Sequence, residues 1–259
     1  MRLNHVPPRT GLEWVKQGLR VFARQPLAIS GLFFMFMAAL TVLSVVPFFG
    51  SLVAVLITPA ATLGLMAASA EATQGRFPMP STLVSAFRKD PQHTKSILML
   101  GALYVGALLS LVAVAVVLGP DMPSGTDPQE LTPELVSTLL SSPGLWLAGM
   151  LYVPVLMAFW HAPALVHWHG IAPVKSLFFS LLGCWNNRGA FVVYLLAWFG
   201  LMLGGVFLIT FIAQAAGATT VGFLVYPMAL MFASVFYASL FFTFRDSFEF
   251  DLPAETPLP

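Results

Sequence analysis

The stretch WHAPALVHWHG, Trp160 to Gly170, gathers three of the chain's five histidines into nine residues. Imidazole can bind a metal, relay a proton or hydrogen-bond across a helix interface. On one helix, His161 and His169 share a face about 12 Å apart, whereas His167 and His169 point in nearly opposite directions. No pair has the i, i+4 spacing of a helical zinc motif, and no nearby Asp, Glu or Cys completes a ligand set, so no metal site is expected. His167 and His169 flank Trp168 at a helix end, the arrangement of an interfacial anchor. His161 lies roughly two turns deeper, beside backbone loosened by Pro163 and Pro154. Two roles fit it: a place in a solute path, or an interhelical hydrogen bond.

The elements that carry these rings read as membrane helices. Of 259 residues, 58% are hydrophobic and 9% charged, with a mean hydropathy of +0.85. A soluble domain carries about a quarter charged residues, so an integral membrane protein is implied. Four windows lack Lys, Arg, Asp and Glu: Gln25–Ala70, Ser96–Pro120, Leu135–Val174 and Gly189–Phe244. A span needs about 20 apolar residues. The first window therefore holds two spans hinged near PFFGS (Pro47–Ser51), and the last holds two hinged near AAGAT (Ala215–Thr219). Ser96–Leu118 is one span. Leu145 to about Trp168, after the SSPG break, is slightly long and completes the six. The first run starts near Leu27 behind five basic residues and is long enough to span, so no cleavable signal is expected. The lone Cys184 makes no internal disulfide.

The basic residues support the count. All twelve Lys and Arg precede span one, lie between spans two and three or four and five, or follow span six. Six spans put them all on one side, and basic loops stay cytoplasmic, which predicts both termini in the cytoplasm. The expected fold is all-α: a polytopic bundle of six transmembrane helices with three cytoplasmic amphipathic helices. The first of these is TGLEWVKQGLRVFARQP. Thr10 and Glu13 suit a capping box. Leu12, Val15, Leu19 and Phe22 form an apolar stripe, with Lys16, Arg20 and Arg24 as a basic one facing anionic lipid. The second is STLVSAFRKDP (Ser81–Pro91), and the third APVKSLFFSLLGCWNNRG (Ala172–Gly189), in which Asn186, Asn187 and Arg188 cap the helix. Pro59, Pro154 and Pro227 fall inside the even spans. One membrane domain, 1–259, is expected, with repeat-like units of about 10–76, 77–171 and 172–248 and an axis along the membrane normal. The acidic outer loop, 119–144, contains TPEL, a helix start capped by Thr132. The end RDSFEFDLPAETPLP, including the tail 249–259, reads as disordered.

No catalytic fingerprint occurs, no Asp, Glu, Lys or Arg lies inside a span, and the cytoplasmic segments are too short for a soluble catalytic domain. An enzyme is not expected, nor is a cofactor. Two function classes remain. One is a non-catalytic module that binds lipid or another membrane protein through Lys16, Arg20, Arg24, Arg88, Lys89, Lys175 and Arg188. The other is a transporter or channel for a small or lipid-like solute, with His161, Pro59, Pro154 and Pro227 along the path. The partners are membrane lipids and, as a further candidate, another membrane protein; nucleic acid is not expected, and no feature sets an oligomeric state.

The segments GLEWVKQGLRVFARQP and FWHAPALVHWHGIAPVKSLFFSLLGCWNNRGAF resemble an uncharacterised family of six-span proteobacterial inner-membrane proteins, over nearly the whole chain. More weakly, the pattern is similar to the membrane domain that accompanies some glycerophosphodiester phosphodiesterases. The resemblance implies a fold and a location. The phosphodiesterase catalytic domain is absent, so it implies no activity and no catalytic residues.

Overall fold

The computed structural model describes residues 2–119, 132–217 and 219–249. Among these described residues, six helical stretches are long and apolar enough to cross a membrane. In chain order they are α2 (Pro26–Ser44), α3 (Gly50–Thr73), α4 (Pro91–Val117), the pair α6 (Pro143–Trp160) and α7 (Ala162–His169), α9 (Arg188–Ala216) and α10 (Thr219–Ser247). Shorter elements are α1 (Thr10–Arg24), a 3-10 segment (Pro80–Phe87), α5 (Pro133–Leu140) and α8 (Pro173–Asn186). The chain is thus an all-α, six-span membrane protein.

Inside lipid, burying an apolar side chain gains little, because acyl chains are as apolar as leucine, so close backbone approach and hydrogen bonds do the selecting. At Gly64 of α3, an added Cβ would lie 2.6 Å from the carbonyl oxygen of Leu83, so the 3-10 segment can settle only onto glycine. The bundle is built outward from α3, which packs on α2, α4 and α10; α10 in turn packs on α9, and α4 on α6. The two ends of this arc, α6 and α9, barely meet. Of the three expected units, the first therefore touches both others through its spans, while the spans of the second and third meet around the α6–α7 break, where Trp160 packs on Phe191 and Phe236 and Trp168 on Phe244. The short amphipathic elements dock in a cyclic order on the proline-containing spans: α1 on α10, the 3-10 segment on α3 and α8 on α6.

α1 turns a different face inward from the stripe expected. Its buried face is Gly11, Trp14, Val15, Gly18 and Val21, rotated from the predicted stripe, while Leu12 and Leu19 are about 40% exposed. Hydrophobicity alone does not reveal this face, because two of its members are glycines chosen for closeness to α9 and α10. Trp14 is fully buried, its Nε1–H donates to Asp246 (2.9 Å), and removing such a ring from water contributes roughly 5 kcal/mol. The expected capping box is also absent. The Glu13 carboxylate bonds Lys16 at 2.8 Å instead, which holds it below the usual carboxylate range, and the first amides are met by Pro7, Pro8 and Arg9 carbonyls.

Three further departures have local causes. Ser81–Pro91 is not one α-helix, because Asp90 accepts from the His93 amide (2.7 Å) and starts α4. The long fourth span breaks at His161. Residues 245–249, expected to belong to a disordered end, are regular: α10 runs through Ser247, and Phe248–Glu249 pairs antiparallel with Arg2–Leu3. Thr132 does cap α5, accepting from the Leu135 amide at 3.2 Å, and α5 packs on α6. The rest of the acidic loop, 120–131, and the tail 250–259 lie outside the described residues.

Candidate functional site

The separation of α6 from α9 leaves a cleft of about 380 Å³ within the bundle. Thr58, Pro59 and Thr62 of α3 form its back wall, and Tyr104 of α4 and Phe236 and Tyr237 of α10 its sides. Trp160 and Pro163 close the end nearest the α6–α7 break. Tyr152 and Leu156 of α6 and Leu195 of α9 also line it, and all three are well exposed, so the cleft opens sideways toward the bilayer. The walls interlock: the Tyr104 and Phe159 rings are 4.9 Å apart, and Tyr237 stacks against Phe33 of α2 at 5.3 Å. The Thr58 hydroxyl is spent on the Ala54 carbonyl (2.8 Å). Among the described residues, the hydroxyls of Tyr104, Tyr152 and Tyr237 have no protein partner. No charged group lines the cleft. It can hold an apolar chain and offer it phenolic hydrogen bonds.

His161 sits just beyond this cleft but is sealed from it. It is fully buried, with Phe191, Phe244 and Phe248 rings 5.3–6.0 Å away. Its amide would normally bond the Met157 carbonyl. Instead, the Ser180 hydroxyl of α8 is inserted: the His161 amide donates to Ser180 Oγ (2.9 Å), which donates to Met157 (2.7 Å). The Thr243 hydroxyl donates to the Leu240 carbonyl (2.7 Å) and accepts from Trp160 Nε1 (3.0 Å). Its second lone pair faces His161 Nε2 at 3.3 Å, so that nitrogen carries the proton. Nδ1 lies 3.7 Å from the Cys184 thiol, whose ionisation burial disfavours. Every polar atom of this ring has a partner within the protein.

Of the other residues expected along a path, Pro59 lines the cleft, whereas Pro154 and Pro227 are exposed on the outside of α6 and α10. His167 stands in the last turn of α7 as expected but is buried: its Nδ1 is 2.9 Å from His93 Nε2, and its carbonyl accepts from Lys89 (2.6 Å). His93 escaped notice because it lies 74 residues away. A signal existed, since both rings fall at span ends on the basic side. Among the described residues no group of three His, Cys, Asp or Glu could hold a metal.

The basic face is spread over all three amphipathic elements. Arg20, Arg24, Arg88 and Lys175 are exposed, Lys16 is paired with Glu13, and Arg188 lies over the Trp185 ring at 5.6 Å. Asn187 takes the expected cap position at the end of α8 and is wholly buried: its Oδ1 accepts from the Val6 amide and its Nδ2 donates to the Asn4 carbonyl, both at 2.9 Å. With the short sheet and Trp14–Asp246, it ties Arg2–Val6 and Asp246–Glu249 to one face of the bundle.

A probable inner membrane protein of Burkholderia thailandensis is 36% identical to this chain over 270 residues, covering all of it and 98% of that protein. No family model and no solved structure matches the chain.

Proposed function

Since the chain belongs to the family of the Burkholderia thailandensis inner membrane protein, we propose that it is a non-catalytic lipid-binding module of the bacterial inner membrane, with both termini in the cytoplasm. The observation that carries this reading is the side-open cleft between α6 and α9, uncharged and lined by aromatic rings and unpartnered phenols. An acyl or isoprenoid chain enters such a cleft from the bilayer without crossing water, and its ester or hydroxyl groups meet the tyrosines. The one-sided basic residues support the orientation through the positive-inside rule. A distant relation to the membrane domain that accompanies some glycerophosphodiester phosphodiesterases is part of the same proposal, since such a domain sits in the bilayer without being the enzyme. A solute path through His161 would have to open a ring of phenylalanines and break a saturated hydrogen-bond set, so binding is favoured over transport.

Photolabelling tests the proposal. The protein in nanodiscs is irradiated with a phospholipid carrying a diazirine on its acyl chain, and adducts are mapped by mass spectrometry. Labelling at Tyr104, Trp160 and Tyr237 should exceed that at Phe223 and Tyr226, which are 80% exposed on the outside of α10. Filling the cleft with Thr62→Phe should abolish the inner adducts and spare the outer ones. Adducts confined to the outer surface would refute the reading.

A further inference from the structure

A second groove, of about 950 Å³, lies where the 3-10 segment meets α4. It shares no lining residue with the cleft, so an occupant of this groove is independent of any lipid held there, and either site can exist without the other. One end is cationic, with Arg88, Lys89 and Lys95. The other is apolar: Leu98, Met99 and Ala102 of α4 with Leu56 of α3, where Leu98 and Met99 are 40% and 47% exposed. Gly101 brings the α4 backbone against the Leu56 carbonyl, which closes the floor.

Within the groove the cations are not paired, and Glu71, which lines the adjoining pocket with Arg88 and Lys89, accepts from Thr82 at 3.2 Å. Asp90 is the acidic residue in the lining, and its carboxylate caps α4 through the His93 amide. Among the described residues, Arg88 and Lys95 have no ion pair and no side-chain hydrogen bond, and Lys89 gives one of its three N–H groups to the His167 carbonyl. Three cations against one committed carboxylate leave a surplus of positive charge at the membrane surface. From Lys95 to Ala102, α4 rises about 10 Å, the span from a lipid phosphate down to the upper acyl chain. The grading from charge to hydrocarbon therefore follows a phospholipid lying along the helix.

We propose that this groove is a binding site for an anionic phospholipid, with its phosphate between Arg88 and Lys95 and an acyl chain along Leu98, Met99 and Leu56. A zwitterionic lipid would bring its own ammonium into an unbalanced cationic end. A free phosphate would leave the apolar half unfilled.

Native mass spectrometry of the full chain in mild detergent decides it, with phosphatidylglycerol, phosphatidylcholine and inorganic phosphate titrated separately. Phosphatidylglycerol should be retained at least tenfold better than phosphatidylcholine, phosphate should not be retained, and added salt should weaken only the first. Each surface cation contributes about fivefold to anionic-lipid attraction, so Arg88→Gln with Lys95→Gln should lower phosphatidylglycerol retention about 25-fold. Lys16→Gln with Arg20→Gln removes equal charge elsewhere and should leave retention within twofold. Equal retention of the two lipids overturns the proposal, as does an equal loss from both charge pairs or binding of phosphate alone. The salt response and lipid preference of the unaltered protein test it even if a variant misfolds.

Discussion

Asn186 and Asn187 are neighbours of one type, yet the structure assigns them unequal weights. Asn187 supplies the acceptor for the Val6 amide and a donor to the Asn4 carbonyl, both at 2.9 Å, and is fully buried. Asn186 reaches the same Asn4 carbonyl at 3.4 Å from a half-buried position. Asn187→Ala leaves a buried amide unmet and a carbonyl poorly met, at about 1–3 kcal/mol for each such group, reduced at the carbonyl by Asn186. The local cost is then about 3 kcal/mol, borne by the junction of Asn4–Val6 with the α8–α9 corner. Asn186→Ala should cost about 0.5 kcal/mol. Hydrogen exchange, read by mass spectrometry on peptides covering residues 2–8 and 245–249, should accelerate about 100-fold in Asn187→Ala, since 1.4 kcal/mol is tenfold. In Asn186→Ala it should accelerate less than threefold. Equal acceleration, or none in Asn187→Ala, would refute the unequal weighting of the two asparagines.

Other variants probe the remaining joints. In α1, a Cβ on Gly18 would lie 2.6 Å from Ser239 Cβ, so Gly18→Ala should cost about 1–3 kcal/mol and lower the melting temperature, with Trp14 fluorescence shifting red as α1 lifts from α10. Ser180→Ala removes the hydroxyl that bridges the His161 amide and the Met157 carbonyl, and should destabilise by about 2 kcal/mol in a denaturant titration, whereas Ser180→Thr should keep much of the bridge. Burial pushes the Cys184 thiol up, so the native protein should resist iodoacetamide at pH 8 and react once denatured. A folded-state pKa raised above the unfolded one gives stability present below the ordinary thiol value of about 8.5 and lost as pH rises past it, a decline that Cys184→Ala should flatten.

The cleft and the groove show why chemistry was harder to read than architecture. The cleft draws Thr62, Tyr104, Tyr152 and Tyr237 from four spans, and no local pattern marks any of them as a ligand contact. The groove's Arg88 and Lys89 were visible as charges, but Lys95 looked like an ordinary residue before a span. Only the meeting of α3, α4 and the 3-10 segment turns the three into one cationic end.

What the residues determine by themselves is each stretch's relation to its solvent. A helix in lipid closes its own backbone hydrogen bonds, so length and apolar composition suffice to place six spans, and Thr132 before Pro133 suffices to start α5. Which faces meet is decided by rotation and distance, and these depend on partners far along the chain. Val6 finds Asn187 across 181 residues, and His167 finds His93 across 74. His161, the residue that invites a chemical reading, is claimed by Ser180 and Thr243 from two other helices. The open edge between α6 and α9 leaves no mark in either helix, because both are apolar all round and lipid accepts such a surface as readily as another helix does.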